Sequence, residues 1–439
     1  MKNPLLLKAL AVGVLALLLM IPAAMIRELV AERQKRAAEA VDGIAEGWGK
    51  RQAISGPYLL LPYDRSWTDV KHEWHDGKQR EIRVERTEAG TLRLPAADVE
   101  WSIVAEVTEK SRSLFKARLY SARLQARGSV PLAQRTARED GISRYKWGAP
   151  RLVVGIADPN GIRAAGGVKI GAGTHRFLPG ANDGEGTAGL HSELQSLAGA
   201  EAADVPFEFS LELGGTESLA VAPLGADMTV AMRADWPHPS FLGRFLPARH
   251  QIDASGFSAT WRISRFASQA KDQLVVSFVE PAGLYQRLER SAKYAFLFIG
   301  LTFAAFYLFE LVRRIVIHPI QYGLVGLALA MFFLLLTALS EHIAFELAYA
   351  AAALACVILI SAYLNFILKS AKAATAFGAA LSAVYGILYL LLQAEDYSLL
   401  GGTLFLFALL AAVMLGTRRV DWYGLSRRAD GSAQAGRAS

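Results

Sequence analysis

Apolar and polar positions change rhythm twice along this chain. Residues 9–26 form one apolar span, with Lys2 and Lys8 before it and a charged stretch, residues 27–36, after it. The span is longer than the roughly 7 to 15 residues of a signal-peptide core, so it reads as an uncleaved membrane anchor. Ala23-Ala24 keep a cleaved signal peptide open as the rival. Beyond it, Ile26, Leu29 and Val30, then Val41, Ile44 and Trp48, recur at helical spacing among charges and predict a helical stalk over residues 27–55. After Gly56-Pro57 the period becomes two. Trp101-Ser102-Ile103-Val104-Ala105-Glu106-Val107 alternates, as do residues 114–120, 207–213, 228–232, 257–263 and 274–279. Short strands punctuated by turns such as Asp158-Pro159-Asn160-Gly161 predict an antiparallel β domain over residues 56–292, most simply a sandwich. Glycines crowd residues 161–189, which read as a long loop or irregular insert.

From residue 293 the chain is apolar again. The clearest stretch starts at Ile317-His318-Pro319 and runs roughly 20 residues without a charge, enough to cross a hydrocarbon core as a helix. It ends in Ser340-Glu341-His342. Five such spans are expected, at residues 294–312, 321–339, 343–368, 375–392 and 399–416. Their joints alternate in sign: Arg313/Arg314, Glu341, Lys369/Lys372, Glu395/Asp396, Arg418/Arg419. Short basic loops stay cytoplasmic, so the acidic joints and the β domain fall outside. With the N-terminal anchor this predicts six spans, a five-helix domain over residues 293–417, and a cytoplasmic tail over 418–439. Both termini are then cytoplasmic and the β domain periplasmic.

Composition agrees with a mixed object. The 439 residues are 53% hydrophobic and 20% charged, with a mean hydropathy of +0.26, so a membrane part and a water-facing part must coexist. The net charge of +7 is no nucleic-acid signal, because much of the basic excess sits at span ends and in the tail. The single cysteine, Cys356, lies in an apolar run, so no intramolecular disulfide can staple the β domain.

The membrane segments carry a resemblance. Arg290-Ser291-Ala292-Lys293-Tyr294, Phe309-Glu310-Leu311, Ile317-His318-Pro319-Ile320-Gln321-Tyr322, Leu339-Ser340-Glu341-His342-Ile343, Gln393-Ala394-Glu395-Asp396-Tyr397 and Asp421-Trp422-Tyr423 follow one another in order and spacing. In the β domain, Gly56-Pro57, Trp236-Pro237-His238-Pro239-Ser240-Phe241 and Gly256-Phe257-Ser258-Ala259-Thr260-Trp261 extend the pattern. By these motifs the chain resembles the CreD family of bacterial inner-membrane proteins over nearly its whole length. It departs from the pattern at Ser113, where the family usually has glycine, and at Asp235, where a small residue is more usual. The resemblance implies a role in envelope integrity, with links to β-lactam response and colicin tolerance, and supplies no catalytic mechanism.

The polar residues of the spans are the candidates for chemistry. His342 and Glu346 share a helix face four residues apart, a spacing able to hold a metal, but one His and one carboxylate make an incomplete set. The simpler reading of Ser340-Glu341-His342 is an N-cap, with Ser340 accepting backbone N–H bonds. Glu310, three and four residues before Arg313 and Arg314, reads as a local ion pair with some weight for function. His318-Pro319 reads as a turn, with Gln321 following it, and Glu395-Asp396 as a solvated joint. In the β domain, Trp236-Pro237-His238-Pro239 reads as a rigid turn packing an aromatic, and Trp236, His238 and Phe241 are the candidate contact residues. Gly171-Ala172-Gly173 is only a weak echo of a phosphate loop, and no GxSxG occurs.

These features predict a non-enzymatic membrane protein without metal or cofactor, embedded in the lipid bilayer. Its outer domain would contact envelope proteins or cell-wall components, and no nucleic acid; oligomeric state stays open. A transporter using Glu310, Glu341 and His342 as relay groups is the first alternative, and a periplasmic or intramembrane hydrolase the second.

Overall fold

A computed structural model describes residues 4–393, apart from 76–77, 133–142, 172, 185, 198–203, 225–226, 268–271, 280–282 and 314–316, together with 402–404, 407, 411 and 414. The chain divides into two compact units. One comprises residues Met1–Ala37 and Ala282–Ser439, the other Ala38–Pro281.

The first unit is helical. α1 (Pro4–Leu18) and α2 (Met20–Trp48) run on through Leu19, whose N–H bonds to Leu15 O and whose carbonyl accepts from Ala23 N–H. α2 crosses the boundary between the units. α3 (Leu284–Arg313), α4 (Pro319–Ser340), α5 (Phe345–Leu368) and α6 (Ala371–Gln393) follow. Among the described residues four helices are long and apolar enough to cross a membrane: Leu10–Trp48, Pro319–Ser340, Phe345–Leu368 and Ala371–Gln393. The expected span 294–312 lies within α3, and most of the expected span 399–416 lies outside the described residues. Phe298, Phe306, Phe332, Phe333 and Tyr385 fill the interior of this unit. Large apolar side chains also face outward, with Phe366 82% and Leu390 67% exposed. An apolar surface of that kind on several helices suits a hydrocarbon solvent, not water. Small residues let the helices close up. A Cβ at Gly326 of α4 would stand 2.1 Å from Leu19 and 2.7 Å from Phe303, the close approach that glycine permits between membrane helices.

The second unit is built of strands: β1 (Gln52–His75), β2 (Lys78–Pro95), β3 (Ala97–Arg112), β4 (Phe115–Pro131), β5 (Arg144–Trp147), β6 (Arg151–Ile156), β7 (Ile162–Ala165), β8 (Val168–Ile170), β9 (Gly173–His175), β10 (Leu178–Pro179), β11 (Gly189–Glu193), β12 (Asp204–Thr216), β13 (Ser218–Ala222), β14 (Met228–Ala234), β15 (Ser240–Gly243), β16 (Arg249–Asp253), β17 (Gly256–Ile263) and β18 (Leu274–Ser277). They form two sheets, one in the order β10-β11-β6-β1-β13-β18-β15 and the other β16-β17-β14-β3-β4-β12-β8-β9, with β2 and β5 added to β1, and β7 to β12. Alternation decides the faces. In β3, Trp101, Ile103 and Ala105 are buried while Ser102, Val104 and Glu106 are exposed. Both sheets contribute to one core, Ile54, Leu59 and Leu219 from the first and Trp101, Leu124 and Trp261 from the second. The architecture is therefore a sandwich.

Two expectations need correction. The sheets are not wholly antiparallel: β1 runs parallel to β13, and β14 parallel to β3. Neither parallel pair is joined by a hairpin; long connections return the chain to the same sheet, which period-two alternation cannot reveal. The glycine-dense residues 161–189 are also not one irregular insert, because β7 to β10 lie there and extend both sheets. Glycine serves close approach at their end. Gly189 has φ +149°, and a Cβ would stand 2.3 Å from Val154 O.

Candidate functional site

Three groups of polar or aromatic side chains draw the sequence candidates together, and the structure adds a fourth. The first joins α3 to α4. Glu310 is buried, accepting the Tyr322 hydroxyl at 2.6 Å and the Ile317 N–H at 3.2 Å. Phe306 packs edge-on against Tyr322, with ring centroids 4.8 Å apart. His318 is the N-cap of α4. Its Nδ1 accepts from Ile320 N–H at 3.3 Å, and its own N–H donates to Gln321 Oε1 at 3.0 Å. A complete capping box thus replaces the plain turn expected at His318-Pro319, with Gln321 at the third helical position as the readable signal. The expected ion pair of Glu310 with Arg313 and Arg314 involves side chains outside the described residues.

The second group lies at the other end of α4. Arg33 of α2 approaches Glu341 at 3.7 Å, and the Glu341 side chain is only 8% exposed. Arg287 of α3 pairs with Glu346 of α5 at 3.0 Å and lies 5.5 Å over the Phe345 ring. This overturns the N-cap reading of the joint. Ala344 is the N-cap of α5 and no side chain caps it, while Ser340 Oγ donates to Thr337 O within its own helix. Glu341 comes within ion-pair range of Arg33, an α2 residue more than three hundred positions away that no local pattern could announce, while its Oε1 makes no hydrogen bond among the described residues. Glu346 turns to Arg287, and His342 is exposed. Among the described residues no three His, Cys, Asp or Glu side chains converge as metal ligands would. Glu395 and Asp396 lie outside the described residues.

The third group is in the sandwich. Trp236 Nε1 donates to His238 O at 2.8 Å, the two rings stand edge-on at 5.9 Å, and the Arg118 guanidinium lies 4.6 Å over the indole. Phe241 reaches inward to Trp261 and Phe257, with centroids 5.6 and 5.7 Å away. Trp236 and His238 thus form one braced turn, and Phe241 belongs to the packing beneath it. Asp235 holds this turn to β3 through the Val107 N–H at 2.7 Å, which accounts for an acid there.

A fourth group escaped the sequence reading. Arg93 donates to both the Tyr58 hydroxyl and the nearly buried Asp183, each at 3.1 Å, and stacks 4.3 Å over the Tyr58 ring. Burial raises the Tyr58 phenol above its usual range, against the opposing pull of Arg93. Its members come from β1, β2 and the loop after β10, so no spacing announces it.

Comparison with known proteins gives this arrangement a family. Among solved structures, an M1 zinc metallopeptidase from Deinococcus radiodurans is 11% identical over 42% of this chain and 41% of that one, with a TM-score of 0.22. A two-domain M1 zinc metallopeptidase mutant bound to L-tryptophan gives the same identity and score over 43% of its length. The chain thus spans less than half of these enzymes, and a likeness so slight bears on neither fold nor chemistry. The relation by sequence is of another order. The chain is 30% identical to the inner membrane protein CreD of Escherichia coli (strain K12), across 97% of this chain and 95% of that protein. The family model described as inner membrane protein CreD matches residues 4–423, and the chain belongs to that family.

Proposed function

We propose that this inner-membrane protein supports cell-envelope integrity through contacts of its sandwich, without catalysing a reaction. In this reading it has six spans, both termini cytoplasmic and the sandwich in the periplasm, and its partners are envelope proteins or cell-wall components. β-lactam and colicin tolerance are the traits it serves. The supporting observation is how the ionisable groups of the helical unit are used. Glu310 holds α4 to α3, Glu341 holds α2, and Glu346 holds α3 to α5. Side chains engaged in tying helices together are poor candidates for groups that must cycle during transport or hydrolysis.

The transporter reading needs Glu310, Glu341 and His342 on one path. Glu310 and Glu341 flank opposite ends of the 22-residue α4, about 30 Å apart along its axis. Complementation separates the two readings. In a strain lacking the gene, Trp236→Ala with His238→Ala should lose β-lactam and colicin tolerance at normal membrane abundance, while Glu341→Ala should lose tolerance only in step with abundance. The reverse pattern would revive the relay. Orientation is tested with Asn182→Cys in a Cys356→Ala background. A membrane-impermeant maleimide should label it once the outer membrane alone is opened, and labelling only after inner-membrane lysis would place the sandwich in the cytoplasm.

A further inference from the structure

Among the described residues, β2 is hydrogen-bonded on one side only. It pairs with β1 without a break from Tyr58↔Pro95 to His75↔Lys78, and among the described residues no strand pairs with its other edge. A long open edge is a template for another strand, and folded proteins either blunt it or use it. Charge alone could be the blunting device here, but the order of the charges is specific. Around Val84 the edge reads Glu81, Ile82, Arg83, Val84, Glu85, Arg86, Thr87; all are exposed except the half-buried Val84. Arg83 and Glu85 have no ion-pair partner among the described residues, whereas Arg86 is already engaged by Asp69 at 3.1 Å.

Antiparallel pairing of this edge with itself about Val84 places Arg83 of each copy opposite Glu85 of the other. Val84 then meets Val84, and Ile82 lies against the aliphatic part of Arg86. Moving the register by two residues either way sets Arg83 against Arg83 or Glu85 against Glu85. Opposite charges directly across a strand pair stabilise it and like charges disfavour it. The register about Ile82 also sets Arg83 against an acid, Glu81, but it brings Arg86 opposite Lys78, so the register about Val84 is favoured. We infer that this edge of β2 is an interface between two copies of the chain, paired antiparallel about Val84.

The test uses the full-length protein in mild detergent, in a Cys356→Ala background. Directly opposed residues have Cα atoms about 4.5 to 5.5 Å apart, within disulfide reach. Val84→Cys should therefore form a disulfide-linked dimer on mild oxidation, while Thr87→Cys, which faces Glu81, should not. In sedimentation without cross-linking, Arg83→Glu should weaken dimerisation by about tenfold or more, and Arg83→Glu with Glu85→Arg should return it to near the original value. A dimer cross-linked through Val70→Cys on β1 instead of Val84→Cys would overturn the proposal. So would a monomeric protein, or a double reversal that restores nothing.

Discussion

The hydroxyl of Tyr322 donates a 2.6 Å hydrogen bond to Glu310 across the joint between α3 and α4. Both residues are buried, and the Ile317 N–H shares the same carboxyl group. A polar group in such surroundings is stable only while its partners are present. Tyr322→Phe keeps the ring between Phe303 and Phe306 but removes one donor from Glu310. The expected cost is about 1 to 3 kcal/mol, seen as a lower melting temperature in detergent. Tyr389→Phe, which removes the partner of the exposed Gln393 amide, should change it far less. Equal effects would show that Glu310 does not depend on Tyr322.

Arg33 and Glu341 bring α2 against the end of α4. Glu341 is mostly buried and Arg33 only partly exposed, but they stand 3.7 Å apart without a hydrogen bond, so their coupling should lie at the upper end of what an exposed pair gives. A double-mutant cycle with Arg33→Ala and Glu341→Ala, read by thermal unfolding in detergent, should give about 1 kcal/mol of interaction. Strictly additive losses would leave the ion pair without energetic weight.

Ser113 occupies the two-residue turn between β3 and β4 with φ +58°. Left-handed backbone there costs a side chain that glycine lacks, and glycine is the usual first residue of such a turn. Ser113→Gly should stabilise the sandwich by about 0.5 to 1 kcal/mol, measured by denaturant unfolding of the full chain. A loss of stability would mean that the Ser113 side chain has a role the turn geometry does not require.

Acid should act on the sandwich through Asp227 and Asp253. Asp227 lies below the usual carboxylate range, chiefly because the Arg265 N–H donates to it at 2.8 Å, with the Arg265 guanidinium adding to the effect. The Ser255 hydroxyl and N–H do the same for Asp253. A carboxyl group lowered on folding contributes stability above its unfolded value and loses it as pH falls through the folded one. Stability should therefore decline as pH drops below about 4, and Asp227→Asn should flatten that acid limb. An unchanged pH profile in the variant would rule Asp227 out as a contributor.

The sequence made much of this legible where the cause is local. The alternation at Trp101 to Val107 reports burial on one face of β3, and the apolar runs at α4 to α6 report helices whose outer faces need hydrocarbon. The capping box was also within reach, since His318 and Gln321 stand at its two fixed positions.

Other features belong to the fold alone. The parallel pairing of β1 with β13 joins residues such as Gln52 and Leu219. Arg33 finds Glu341, and Arg93 finds Tyr58 and Asp183, only after distant elements have packed. Period and propensity describe how a residue relates to its own helix or strand. Which of several suitable carboxylates an arginine meets is set by the packing of whole elements, and that the linear order of residues does not display.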